Sequence, residues 1–183
     1  MALSPASHAG STDRPPRAAR LARLLTLSGA LPFVGLALLV PFGPPLAERL
    51  GLPALAQQID WWAATLLVLY AAGILSFLGG IRFGAVVAEP LAPGARGAVA
   101  LSVVPSLVGW VLAAVGMGGQ FSGFTIVTAG ALALFALGFL AQWGWDRQTV
   151  RAGRLPPWFG AMRSRITLIV VPTLLAAAVL VAL

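Results

Sequence analysis

The chain has no cysteine, no lysine, one histidine and five carboxylates in 183 residues. Without cysteine there is no disulfide, no thiolate nucleophile and no iron-sulfur ligand set. The histidine, His8, stands in a tail ahead of the first apolar run, so haem ligation, zinc coordination and Ser-His-Asp chemistry lack their imidazoles. The acids are Asp13, Glu48, Asp60, Glu89 and Asp146, and none falls near the middle of an apolar run. A proton or sodium relay needs an ionisable group at membrane depth, so ion-coupled transport loses most of its support. Charged residues make up 9% of the chain and hydrophobic ones 59%, whereas a soluble domain carries about 25% charge. There is too little polar side chain to cover a globule. These absences lead us to expect a membrane protein that is not an enzyme, with no catalytic residue, no cofactor and no metal.

What the chain does have is long hydrophobic runs, at 21–40, 61–87, 97–116, 124–143 and 166–183. Each holds roughly the 20 residues that carry a helix across ~30 Å of hydrocarbon. The expected fold is all-α, a polytopic bundle of five transmembrane helices. It forms a single domain over 21–183, with a basic tail at 1–20. That tail is rich in Ser, Ala and Arg in the manner of a transit peptide, but Pro15 and Pro16 interrupt any amphipathic helix there, so a disordered cytoplasmic tail is expected.

Eleven of the twelve basic residues, all arginines, lie on alternate sides of the runs. Arg14, Arg17, Arg20 and Arg23 precede or open the first, Arg82, near the end of the second, and Arg96 follow its uncharged part, and Arg147, Arg151, Arg154, Arg163 and Arg165 follow the fourth. The first connection carries only Arg49 against Glu48 and Asp60, and the third, at 117–123, has no charge. By the positive-inside rule the N-terminus is cytoplasmic and the C-terminus outside. The net charge of +7 is accounted for by topology and anionic lipid headgroups, not by nucleic acid. The lack of lysine beside abundant Ala, Leu, Gly and Arg fits a GC-rich bacterial genome, and the expected location is the bacterial inner (cytoplasmic) membrane.

The second run carries small residues at every fourth position, Ala72, Ser76, Gly80, Gly84 and Ala88, read as a stripe where a neighbouring helix or a second copy packs closely. Arg82 lies on the opposite side, near the inner hydrocarbon boundary, and faces another neighbour or lipid. Asp146, just past the fourth run, is its expected carboxylate at similar depth, with Glu89 as the competitor. Pro32, Pro105 and Pro172 stand inside runs and are expected to kink them, with Ser102 and Ser106 beside Pro105 supplying hydroxyls to the freed backbone groups. Trp61 and Trp62 read as anchors at the outer interface and Trp143, Trp145 and Trp158 at the inner one. The connection at 144–165 reads as a polar turn followed by an apolar, arginine-flanked segment resting in the headgroup boundary, and the one at 46–59 as a short interfacial helix.

Three stretches carry a resemblance: Tyr70 to Gly84 (YAAGILSFLGGIRFG), Ser102 to Trp110 (SVVPSLVGW), and Asp146-Arg147 followed by Pro157-Trp158-Phe159 and Arg163 to Thr167. Together they resemble an uncharacterised five-span inner-membrane family, a domain of unknown function, that is similar to the mitochondrial inner-membrane protein called transmembrane protein sixty-nine. The likeness covers most of 21–183 and implies a five-helix membrane protein with no catalytic residues to transfer. The motif positions Tyr70, Ser76, Gly80, Arg82, Gly84, Ser102, Pro105, Ser106, Trp110, Asp146, Trp158 and Arg163 are therefore candidate structural or functional sites. Two roles are carried forward. One is a non-enzymatic accessory or assembly factor that contacts anionic headgroups, a membrane-protein partner or a second copy through the second span. The other is a small permease whose kinked helices line a polar path with Tyr70, Ser76, Ser102 and Ser106.

Overall fold

The computed structural model describes residues 17–88 and 95–183. The tail to residue 16, with His8 and Asp13, and the segment 89–94, with Glu89, lie outside the described residues. The helices are α1 (Arg17–Ser28), α2 (Leu31–Arg49), α3 (Pro53–Ala56), α4 (Ile59–Ala88), α5 (Ala95–Ser122), α6 (Thr125–Arg151) and α7 (Pro157–Ala182). Five stretches are long and apolar enough to cross a membrane, Leu21–Arg49, Ile59–Ala88, Arg96–Ser122, Thr125–Arg151 and Pro157–Ala182. They match the five hydrophobic runs, and every one extends beyond its run at one end or both.

The differences have physical causes. Pro32 does not kink a continuous helix. It sits in the first turn of α2, where its missing N–H costs nothing, and a two-residue turn at Gly29 and Ala30 separates α2 from α1. Arg17 to Arg20, expected in the tail, open α1. The helix then runs through Pro41, Pro44 and Pro45 to Arg49, leaving only the single turn of α3 where an interfacial helix was expected. The long connection at 144–165 is absent. The path from α6 to α7 is only the residues 152–156, and Asp146, Trp158, Arg163 and Arg165 all belong to helices.

Packed pairs are α4 with α5, α5 with α6, α6 with α7, α7 with α2 and α2 with α4, which close a ring; α4 also touches α6 across its middle. Inside the ring Phe33, Leu67, Leu75, Leu132, Phe135 and Leu174 are buried, and Phe33 meets Tyr70 and Phe139 edge-on at centroid distances of 4.9 and 5.7 Å. Outside, large apolar side chains face away from the bundle; Leu31, Trp110 and Leu168 are 68%, 71% and 75% exposed. In water such a surface would aggregate. In hydrocarbon it is the solvated face.

Close approach between α4 and α5 follows a line different from the expected stripe. Gly79 is buried, and a Cβ there would run into the Ser102 carbonyl oxygen and rest on Pro105; a Cβ at Gly109 would lie 3.1 Å from the Ala72 carbonyl oxygen and 3.4 Å from Ser76 Oγ. Gly80 and Gly84 are exposed, with open space where a Cβ would stand. The reason is helical pitch. At about 100° per residue, Gly79 lies about 20° around α4 from Ala72, whereas Gly80 and Gly84 lie about 80° and 120° away. The interface line is thus Ala72, Ser76 and Gly79 on α4 against Ser102, Pro105 and Gly109 on α5.

Nor do the serines beside Pro105 serve the carbonyl that the proline leaves unpaired. Ser102 Oγ donates to the Val99 carbonyl at 2.6 Å, and Ser106 Oγ reaches across to the Ser76 carbonyl at 3.4 Å. Since the Gly79 contact is with backbone, which cannot swing aside, Gly79→Ala is expected to cost about 1 to 3 kcal/mol and lower the unfolding midpoint in detergent. Gly80→Ala is expected to leave the midpoint unchanged or slightly raised. Equal midpoints for the two variants would remove Gly79 from the interface.

Candidate functional site

Three helices bring charged groups together at the arginine-rich end of the ring. Arg82 projects from α4, Gln142 and Asp146 stand one turn apart on α6, and Arg163 lies in the second turn of α7. Arg82 Nη2 donates to Asp146 Oδ1 at 2.6 Å and Arg163 Nε donates to Asp146 Oδ2 at 2.8 Å. Each carboxylate oxygen therefore takes one guanidinium. Arg82 Nε also donates to Gln142 Oε1 at 3.1 Å, its Nη2 lies 3.4 Å from the Gln142 carbonyl oxygen, and its Cζ sits 3.6 Å from the centre of the Trp145 ring. Gln142, Asp146 and Arg163 are all buried.

The electrostatics follow from the count. Two guanidinium groups and one carboxylate leave the cluster with one positive charge in a region of low dielectric. Charge-assisted bonds at these lengths are strong, and the Trp145 face offers Arg82 further cation–π stabilisation. Arg163 Nη2, however, is buried without a hydrogen-bond partner. Both oxygens of the Asp146 carboxylate are engaged by a guanidinium. Among the described residues no three His, Asp or Glu side chains converge as a metal-binding set.

The expected pair of Arg82 and Asp146 is present, and Arg82 faces α6. Arg163 had been placed in a connection and instead completes the cluster. The other candidates are dispersed. Tyr70 donates its hydroxyl to the Gly29 carbonyl at 2.9 Å, at the turn between α1 and α2. Ser76, Ser102, Pro105 and Ser106 belong to the α4–α5 contact. Gly80, Gly84 and Trp110 face outward, and Trp158 is half-buried beside Phe159 in the first turn of α7. Sequence reasoning missed Gln142. Its signal was an amide inside an apolar run, four residues before Asp146 and so on the same helical face.

The tryptophan anchors also have partners: Trp61 Nε1 donates to the Gln120 carbonyl at 3.3 Å, Trp143 Nε1 to Ser164 Oγ at 3.0 Å, and Arg147 lies over Trp143 at 4.8 Å.

Replacing Asp146 by Asn keeps the volume and leaves the buried Arg163 and the half-buried Arg82 facing each other. Breaking a buried ion pair from one side costs about 3–5 kcal/mol, and Asp146→Asn is expected to lower the detergent unfolding midpoint accordingly. Arg82→Gln, which leaves Asp146 paired with Arg163, is expected to cost less. The reverse order would mean that Asp146 is not the shared partner.

The chain belongs to a family of proteins of unknown function, DUF3429, whose match spans residues 18–179. No curated protein and no solved structure matches it.

Proposed function

We propose that this chain is a non-enzymatic accessory or assembly factor of a bacterial inner membrane, working through contacts with other membrane components. The observation that carries this reading is the filling of the ring. Of the hydroxyls a polar path would use, Tyr70 donates to the Gly29 carbonyl and Ser102 and Ser106 donate to the Val99 and Ser76 carbonyls, while the centre of the ring is packed with Phe33, Leu67, Leu75 and Phe135. Arg82, Asp146 and Arg163 bind one another at one end of the ring. The proposal extends to a relationship, through the motif stretches, with the mitochondrial inner-membrane protein called transmembrane protein sixty-nine.

Orientation is part of the proposal. The ends of α4 and α6 and the starts of α5 and α7 share the arginine-rich side, which we assign to the cytoplasm, with the N-terminus inside and the C-terminus outside. A reporter active only in the cytoplasm is expected to work when fused after Arg96 or Arg154 and to fail after Leu50 or Gly119. The opposite pattern would invert the assignment.

A permease is the competing role. Proteoliposomes holding the purified chain and loaded with glycerol, glutamate or potassium ion are expected to release each solute no faster than empty vesicles. Faster release of any one would favour the permease and overturn the accessory role.

A further inference from the structure

A cavity of about 220 Å³ lies between α1, α4 and α7, floored by Phe33 and Phe139. Its lining is apolar apart from Arg163, Thr26 and Thr167. Leu25 and Phe77 at its edge are each 63% exposed, so the cavity opens sideways onto the lipid-facing surface. Along α7 it reaches from Arg163 to Val170, about 10 Å at 1.5 Å per residue. The charge is at the arginine-rich end and the hydrocarbon lining runs toward the middle of the bundle. That is how a lipid stands in a leaflet, with its head at the interface and its chain inward.

The charge balance gives the occupant its sign. Asp146 is shared by two arginines, the cluster keeps one positive charge, and Arg163 is 5% exposed with Nη2 unpartnered. A buried donor with no acceptor and a net charge in low dielectric are both costly. One anionic group beside Arg163 relieves both. A small soluble anion would satisfy the charge and leave the apolar length of the cavity unused, and a zwitterionic lipid would fill the length and bring a second positive charge.

We propose that the cavity binds one anionic phospholipid, with its phosphate on the free arm of Arg163 and an acyl chain along α7. This site is separate from any contact of the exposed arginines with the membrane surface, because Arg163 is enclosed within the bundle.

The test uses the full chain in detergent, with dioleoyl phosphatidylglycerol, dioleoyl phosphatidylcholine or inorganic phosphate added, read by native mass spectrometry and by the unfolding midpoint. One phosphatidylglycerol is expected to remain bound and raise the midpoint, with no comparable effect of the other two. Arg163→Lys keeps a cation for Asp146 and removes the spare nitrogen. It is expected to weaken phosphatidylglycerol binding about tenfold, the value of one lost bond to a charged group. Thr26→Phe, which fills the cavity from the α1 side without touching the charge cluster, is expected to abolish retention while the midpoint without lipid holds. Equal binding of phosphatidylcholine, equal stabilisation by phosphate alone, or undiminished retention in both variants would each overturn the proposal.

Discussion

A carboxylate shared between two arginines at the edge of the hydrocarbon is the constraint on which the arginine-rich half of this bundle depends. Water is scarce there and a stray charge is costly, and Arg82, Arg163 and Asp146 find one another inside the protein. Asp146 can serve both arginines only if α6 stays helical past its apolar run and α7 starts early enough to bring Arg163 alongside. This is why the two helices are joined by so short a turn. The cluster need not add net stability, since removing charges from water offsets much of their attraction. It does select one arrangement, because rotating or sliding α4, α6 or α7 would leave a buried charge exposed to hydrocarbon.

The remainder of the ring is held by shape. On α4 the charged side turns to α6 and the narrow side to α5, and the two are separated around the helix as Arg82 and Gly79 are in angle. Gly79 and Gly109 bring two backbones together at the crossing where Pro105 removes a backbone donor. At the other end the reciprocal contacts of Trp61 with Gln120, and the bond from Thr128 Oγ1 to the Gly116 carbonyl at 2.9 Å, tie α4, α5 and α6 together with neutral groups. One end is joined by charge and the other by amides, hydroxyls and aromatic edges.

The five spans were legible in the sequence because hydrocarbon imposes a length and a composition that few other environments demand. The pairing of Arg82 with Asp146 was legible from depth alone. Arg163 was not, because an arginine beside Arg165 and Ser164 reads as solvated until the helix that carries it is seen to face Asp146. The small-residue stripe failed for a different reason. Counting by fours follows a line that winds around the helix by about 40° per step, so Ala72 and Ser76 were placed correctly and Gly80 and Gly84 drifted off the contact that Gly79 makes. Turn chemistry around Pro32 was read as a kink because the run looked continuous, and only the break at Gly29 and Ala30 reveals the proline as the start of a new helix.

The two bonds to Asp146 also differ in how far apart along the chain their partners lie. Arg163 is 17 residues from Asp146, across a single tight hairpin, whereas Arg82 is 64 residues away, with the whole of α5 between. A chain is synthesised from its N-terminus, so Arg82 reaches the membrane long before its carboxylate exists and must wait at the headgroup level, where its long side chain can reach water or phosphate. The α6–α7 hairpin, by contrast, arrives with its own charges already matched. Docking of that hairpin is therefore what brings Arg82 its carboxylate.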